Sequence, residues 1–140
     1  MHIEVRELEK HFGSFHAINK TNFQIQKGHL VGLLGPSGGG KTSILKMLAG
    51  LEQPDSGEIL FNGTLANSLP VQKRGIGFVF QNSDTQLFCA DVYDEIAFGP
   101  RQMGMNEDDV EKRVNDCLDL LGIQNFKHRQ PYHLSGGEKR

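Results

Sequence analysis

The sequence predicts a mixed α/β fold, and three features of its 140 residues support that prediction. A short apolar run at residues 30–34 leads into a glycine-rich segment, which is followed by apolar residues at helical spacing. Alternating apolar and polar residues near the N-terminus are typical of half-buried strands. A strongly amphipathic helix is predicted in the last third of the chain. These features together favour one domain with strands and helices around a shared core.

The first elements are predicted to be antiparallel strands. Ile3 and Val5 alternate with polar residues, residues 22–25 show the same alternation, and Lys27 and Gly28 form a turn after them. The continuous apolar runs that come later have a different pattern. A strand of a parallel sheet is covered on both faces and therefore lacks alternation.

Two such continuous runs, at residues 30–34 and 76–80, are each expected to form a fully buried strand. Between them, apolar residues recur at helical spacing over residues 44–48 until Gly50 ends the helix. Residues 58–61 then read as a strand that enters a hairpin turn at Asn62 and Gly63.

The last third is predicted to contain a capped amphipathic helix. Asn106 is expected to cap it, and the acidic residues of its first turn lie where the helix dipole favours negative charge. Its apolar positions are Val110, Val114, Cys117, Leu118 and Leu121. Gly122 follows at the position where a helix-ending glycine belongs.

Composition excludes several classes of protein. With 15 Lys and Arg against 17 Asp and Glu, the chain lacks the basic arm that a nucleic-acid partner would require. Its longest apolar run is far shorter than the roughly 20 residues that cross a bilayer. The N-terminus does not resemble a secretory leader, so an intracellular setting is expected. Cys89 and Cys117 are far apart and are expected to remain free thiols.

The glycine-rich segment matches the phosphate-binding pattern G-x-x-x-x-G-K-[ST], known as the P-loop. In such a loop, backbone N–H groups and a helix N-terminus converge on the β- and γ-phosphates of a nucleotide. Lys41 is expected to place its charge on these phosphates, and the Thr42 hydroxyl to bind Mg²⁺. The predicted nucleotide-binding residues here are Gly35, Pro36, Ser37, Gly38, Gly39, Gly40, Lys41, Thr42 and Ser43.

A second motif narrows the class of nucleotide-binding protein. The guanine-reading pattern N-K-x-D has its nearest match at residues 19–22, which lie upstream of the loop and end in Asn, so a GTPase is not favoured. Residues 133–138 read His-Leu-Ser-Gly-Gly-Glu. This segment closely resembles the L-S-G-G-Q signature of ATP-binding cassette (ABC) ATPases, with Glu138 in place of the usual Gln.

The resemblance implies a P-loop NTPase core with an antiparallel β subdomain and part of the ABC helical subdomain, truncated after the signature. It implies one incomplete nucleotide-binding domain over residues 1–140, divided into residues 1–81 and 82–140. Phe12 corresponds to the aromatic residue that stacks on adenine, and Gln81 to the glutamine that contacts Mg²⁺. Lys41 and Gln81 are the residues assigned to catalysis. The signature residues that would contact ATP bound by a partner subunit are Ser135, Gly136, Gly137 and Glu138.

The family's Walker B strand, which ends in Asp and a catalytic Glu, has no counterpart in these 140 residues. We therefore expect an N-terminal fragment that ends in the helix after the signature. As an isolated chain it is expected to bind ATP weakly at best and not to hydrolyse it. ATP and Mg²⁺ are the ligands that the resemblance implies for the complete domain.

The resemblance also indicates an importer. The first eighty residues are similar to ATPase subunits of sulfate/thiosulfate importers, whereas residues 81–88 and 97–100 are similar to those of cobalt/nickel and energy-coupling-factor vitamin importers. The implied partners are a second ABC ATPase subunit, identical or related, and integral membrane transporter subunits, with the chain peripheral on the cytoplasmic face. The alternative is a non-transport ABC protein or an interaction module that binds ATP without hydrolysis.

Overall fold

The computed structural model describes residues 1–82 and 86–139. The chain divides into two compact units, Met1–Phe78 and Val79–Arg140. The first unit contains β1 (Ile3–Phe12), β2 (Phe15–Ile25), α1 (Lys41–Ala49), β3 (Ser56–Phe61) and β4 (Thr64–Leu65). The second contains α2 (Val92–Gln102) and α3 (Glu107–Leu121). The mixed α/β class is confirmed, while the single incomplete domain divided after residue 81 stays a prediction.

The strands of the first unit form one antiparallel sheet with the order β2-β1-β3-β4. This confirms the predicted N-terminal strands, the turn at Lys27 and Gly28, and the strand that enters the turn at Asn62 and Gly63. A two-residue turn joins β1 to β2, and its flanking residues Phe12 and Phe15 are register partners. One face of this sheet and α1 together form a buried apolar cluster, whose members include Val5, Leu8, Ile18, Ile44, Met47 and Ile59.

The prediction of two buried strands, at residues 30–34 and 76–80, is wrong. Residues 30–34 and 76–80 are assigned to neither strand nor helix, and Leu30 and Leu34 are almost fully exposed at 102% and 94%. A parallel strand requires a neighbour that accepts and donates its backbone hydrogen bonds. In the described part of the chain, β1 pairs with β2 and β3, and β3 pairs with β4, so neither run is a member of the sheet.

An arginine holds the C-terminal end of α1. Arg74 is 1% exposed, and its guanidinium donates to the main-chain oxygens of Met47 and Leu48 at 2.9 and 3.1 Å. It also donates to the oxygens of Leu69 and Asn67 at 2.9 and 3.0 Å. Burial lowers the pKa of Arg74, because desolvation disfavours the charged form. The last carbonyl oxygens of a helix have no N–H donors within the helix, so the Arg74 side chain, which donates to two of them, acts as a cap.

The second unit is built around two capped helices. The Asn106 side chain accepts a hydrogen bond from the backbone N–H of Asp109 at 2.9 Å, which confirms the predicted start of α3. Gly122 ends α3 in the left-handed conformation with φ of 68°. Of the predicted apolar positions, Val110, Val114 and Leu118 are buried with the core of this unit, whereas Leu121 is 60% exposed.

The sequence did not predict α2. Asp91 caps it by accepting from the backbone N–H of Asp94 at 2.9 Å, and the helix continues through Gly99 and Pro100. Residues 136–139 form a turn in which the Lys139 N–H donates to the Ser135 oxygen at 3.1 Å, so the helix expected after the signature is present as a single helical turn in the described residues. Cys89 and Cys117 are free thiols, as predicted, and both are half-buried. Within the described ranges, no helix has the length and apolar character that a membrane span requires.

Candidate nucleotide-binding site

The glycine-rich loop leads directly into α1, as its sequence predicts. Gly38 and Gly40 have φ angles of 80° and 79°, in the left-handed region that favours glycine. The Gly39 N–H donates to the Pro36 oxygen at 3.2 Å, which closes a turn within the loop. Residues 35–39 are exposed. The loop is therefore tightly curved and open to solvent along its length.

At Gly40 the end of the loop is in close contact with β2. A Cβ atom at this position would lie 2.6 Å from the Ala17 oxygen and 3.2 Å from Ile18 Cδ1. The β1–β2 register passes from Ile18 to His16, so the ladder skips Ala17 at the point where its oxygen meets the loop. Only glycine allows this approach and the positive φ at once. The sheet thus fixes where α1 begins.

Lys41 turns back over the loop. Its ammonium donates to the Gly35 oxygen at 2.8 Å and to the Pro36 oxygen at 2.5 Å. Thr42 is exposed and Ser43 is half-buried, and both lie in the first turn of α1. The ammonium therefore lies inside the curve of the loop, next to the helix N-terminus.

The N-terminus of α1 differs from those of the other two helices. The cap residue of α1 is Gly40, which has no side chain to accept a hydrogen bond from the helix, and the first turn of α1 carries no acidic residue. By contrast, α2 and α3 are capped by Asp91 and Asn106 and carry acidic first turns. The backbone N–H groups that begin α1 and the Lys41 ammonium are all hydrogen-bond donors with positive charge. This donor set fits an anion such as a phosphate chain.

Phe12 lies at the end of β1, in the same unit as the loop. Its side chain is 46% exposed, and the Lys10 ammonium lies 5.3 Å from the ring centroid. An exposed aromatic face of this kind can stack on a flat base. The structure therefore leaves Phe12 available for the predicted role with adenine, and the role itself stays a prediction.

Gln81 and the signature residues lie in the second unit. Gln81 is exposed and forms part of a bend. The Ser135 N–H donates to Glu138 Oε2 at 2.7 Å. The pKa of Glu138 is lowered mainly by a hydrogen bond to the Ser135 side chain, and next by this bond to the Ser135 backbone. Serine followed three residues later by Glu is the capping-box pattern. Glu138, which replaces the usual Gln of the signature, therefore holds Ser135 in a local turn.

The signature glycines have open surroundings. A Cβ atom at Gly136 or Gly137 would have no atom of the described chain within 4 Å, apart from its immediate neighbours. Packing inside this unit therefore does not require glycine at either position. A requirement for close approach by a second molecule would explain the choice.

The residues present suit ATP and Mg²⁺ by their chemistry. Lys41 and the loop amides provide the donors that phosphate oxygens accept, and the Thr42 hydroxyl and the Gln81 amide oxygen are hard ligands of the kind that Mg²⁺ prefers. Thr42 belongs to the first unit and Gln81 to the second.

Comparison with known proteins agrees with these motifs. The family model described as ABC transporter matches residues 18–140. A relative from Clostridium acetobutylicum, provisionally named as an ABC transporter ATP-binding protein, is 47% identical over 132 residues, which cover 89% of this chain and 55% of the relative. The sulfate/thiosulfate import ATP-binding protein CysA of Pectobacterium atrosepticum is 45% identical over 144 residues, which cover 100% of this chain and 43% of that protein.

Among solved structures, cbiO1 from Clostridium perfringens, described as part of the ABC transporter complex cbiONQ, matches with a TM-score of 0.82 and 34% identity. The match covers 98% of this chain and 57% of the cbiO1 chain. This chain spans about half the length of the relatives that it matches. Because the family model covers residues 18–140, which include the phosphate loop and the signature, the chain belongs to the ABC transporter family.

Proposed function

We propose that the chain is the ATP-binding part of an ABC importer subunit, which couples the binding and hydrolysis of ATP to solute uptake. The observation that carries this proposal is the position of the Lys41 ammonium, inside the curve of the loop and beside a helix N-terminus without a side-chain cap. No side chain caps the N-terminus of α1, and its first turn carries no acidic residue. The oxygens of ATP phosphates would accept hydrogen bonds from the donors at this end of the helix.

The residues of the loop divide the work of binding. Lys41 transfers its hydrogen bonds from the Gly35 and Pro36 oxygens to phosphate oxygens, and Gly38 and Gly40 let the backbone approach closely. Phe12 stacks on adenine. The ring is rigid and half-exposed, so little conformational entropy is lost on stacking.

Thr42 and Gln81 are the residues proposed to hold Mg²⁺, which when bound neutralises charge that develops on the phosphates. Gln81 and Lys41 therefore have different roles in catalysis: Gln81 binds Mg²⁺, and Lys41 binds the phosphates.

The signature residues act on ATP held by a second ABC ATPase subunit, identical or related. The open space at Gly136 and Gly137 supports this arrangement, because it leaves room for a phosphate of the partner's nucleotide. Glu138 positions Ser135 through the capping box. ATP binding would then close a head-to-tail pair, and hydrolysis would reopen it.

Membrane transporter subunits are the second class of proposed partner. Phe88 and Phe98 are 67% and 43% exposed, and their rings pack edge to face at 4.8 Å between centroids. An exposed aromatic pair is typical of a protein interface. These residues lie in the segments whose sequence resembles metal and vitamin importers, so we assign the chain to the cytoplasmic face of a membrane, where it is peripheral.

The cargo is proposed at the level of class. The segments after Gln81 favour a metal ion or a vitamin, and the identity with a sulfate/thiosulfate import protein makes a sulfate-like anion the second choice. The competing candidate, an ATP-binding module without transport, predicts no dependence of membrane attachment on Phe88 and Phe98. Attachment of the chain to vesicles that carry the transporter subunits separates the two. We expect it to fall in Phe88→Ser/Phe98→Ser and not in Leu120→Ser, which removes a side chain that is 86% exposed on α3.

The nucleotide part of the proposal is tested by equilibrium binding of ATP with Mg²⁺ to the chain and to two lysine variants. Lys41→Ala is expected to weaken binding by at least about tenfold, since it removes a charge-assisted contact to phosphate. Lys46→Ala, in the last turn of the same helix, is the matched control and should bind as the parent does. Equal affinity of the parent and Lys41→Ala would overturn the assignment of this loop.

A further inference from the structure

A cluster of metal-ligating side chains lies on the β1–β2 hairpin, outside the loop described above. Glu9 and His11 belong to β1, and His16 belongs to β2. The register places His11 and His16 opposite each other, and Glu9 precedes His11 by two positions. Side chains two apart on a strand share a face. The hairpin thus gathers two imidazoles and one carboxylate from separate strands.

The three side chains are already close enough to share an ion. His16 Nε2 lies 3.0 Å from Glu9 Oε1, and the His11 and His16 rings stack with centroids 4.0 Å apart. One ligand atom from each residue lies within 4.8 Å of the other two. The side chains of Glu9, His11 and His16 are 23%, 43% and 37% exposed, so an ion can reach them from solvent.

A second layer of hydrogen bonds orients two of these ligands. Ser56, the β3 partner of Glu9, donates from Oγ to Glu9 Oε2 at 3.0 Å, which leaves Oε1 facing His16. Asp55 Oδ2 lies 3.2 Å from His11 Nδ1 and accepts from the His11 backbone N–H at 2.6 Å. A carboxylate on one ring nitrogen is the usual arrangement behind a metal-binding histidine.

We propose that Glu9, His11 and His16 form a binding site for a divalent transition metal, with Asp55 and Ser56 as its supporting residues. Two imidazoles and a carboxylate suit Zn²⁺ and neighbouring first-row ions, whereas Mg²⁺ and Ca²⁺ prefer oxygen ligands only. Asp55 is assigned to support rather than to the ion, because its Oδ1 faces Lys10 at 3.6 Å.

Binding of one ion requires the His11 ring to turn out of its stack on His16, because two nearly parallel rings cannot both direct a nitrogen lone pair at the same ion. Metal–ligand bonds of about 2.0–2.1 Å in tetrahedral geometry place ligand atoms about 3.3 Å apart. Glu9 Oε1 and His16 Nε2, which lie 3.0 Å apart, are near this spacing, so the change falls on the exposed His11 ring. Three protein ligands leave one position for water. A bound ion would join β1 to β2 next to Phe12, the residue proposed to stack on adenine.

The test uses Zn²⁺ and the whole chain without nucleotide, in a Cys89→Ser/Cys117→Ser background that removes both free thiols. Competition with a chromophoric chelator measures the affinity. We expect one Zn²⁺ per chain, a loss of at least about tenfold in affinity for Glu9→Gln and His16→Ala, and a smaller loss for Asp55→Asn. His29→Ala removes an exposed histidine elsewhere and is the matched control.

A measurement on the chain with all its histidines intact removes any dependence on how the variants fold. Addition of Zn²⁺ is expected to shift the imidazole signals of His11 and His16 in NMR spectra and to leave those of His29 and His133 in place. Mg²⁺ should cause neither shift. The proposal is overturned if Zn²⁺ leaves His11 and His16 unchanged, if His16→Ala binds as tightly as its parent, or if Mg²⁺ produces the same shifts.

Discussion

Replacement of single glycines in the phosphate loop separates two reasons for glycine at these positions. Gly38 and Gly40 have nearly the same φ, at 80° and 79°. Around Gly38 a Cβ atom would meet nothing within 4 Å, whereas at Gly40 it would lie 2.6 Å from the Ala17 oxygen. Gly38→Ala therefore tests the backbone conformation alone, and Gly40→Ala tests the conformation together with the contact to β2.

The expected magnitudes follow from these distances. An L-residue held in the left-handed region loses about 1–2 kcal/mol, which is the full effect expected for Gly38→Ala. Ordinary contacts begin at 3.4 Å, so Gly40→Ala is short by about 0.8 Å against a backbone atom that belongs to the sheet. Such overpacking adds about 1–3 kcal/mol. Gly40→Ala should therefore be the less stable variant by about 2 kcal/mol.

Urea unfolding followed by far-ultraviolet circular dichroism measures both free energies. A difference of about 2 kcal/mol moves the midpoint by roughly 1 M. Equal stabilities of the two variants, or a larger loss in Gly38→Ala, would refute the conclusion that β2 fixes the end of the loop.

Three further changes test other parts of the structure. Arg74→Met should lower the free energy of unfolding by about 3–5 kcal/mol in urea, since four main-chain oxygens lose a buried charged donor; a loss below about 1 kcal/mol would contradict the capping role. Asn106→Ala should remove about 1 kcal/mol of stability in thermal unfolding, whereas Asn106→Asp, which keeps the cap, should change little. The hydrogen bonds to Ser135 lower the pKa of the Glu138 carboxyl group from its usual value of 4.5. The contribution of Glu138 to stability is therefore complete above pH 4.5, and it is lost as the pH falls through the lower pKa of the folded state. The Ser135 amide proton should report that titration by NMR, and a midpoint above 4.5 would be inconsistent with the capping box.

Local signals in the sequence were sufficient for the elements that depend on few neighbours. Asn106 and Gly122 mark the ends of α3 because caps act on the adjacent backbone alone. The glycines and Lys41 of the phosphate loop are equally local, since turn conformation and side-chain reach decide their geometry.

Features that depend on distant partners could not be predicted in this way. The apolar run at residues 30–34 has the composition of a buried strand, but a strand forms only where another strand supplies its hydrogen bonds. The sequence gives no sign that Arg74 is buried, because its four acceptor oxygens belong to segments that come together only in the fold. In α2, Gly99 and Pro100 obscure the helical pattern.

The site on the hairpin was missed for the same reason. Spacing in the sequence alone does not bring Glu9, His11 and His16 together. Their proximity depends on a register that skips Ala17, and irregularities of this kind have no simple sequence signal.

The loop at the start of α1 is proposed to bind the phosphates of ATP. The most direct test is to follow backbone amide signals by NMR while ATP and Mg²⁺ are added to concentrations on the order of 1 mM, which detects weak binding. We predict that the signals of residues 38–43 shift most, and that Lys41→Ala abolishes these shifts. Unchanged loop signals in the parent chain at the end of the titration, or shifts confined to other residues, would contradict the claim.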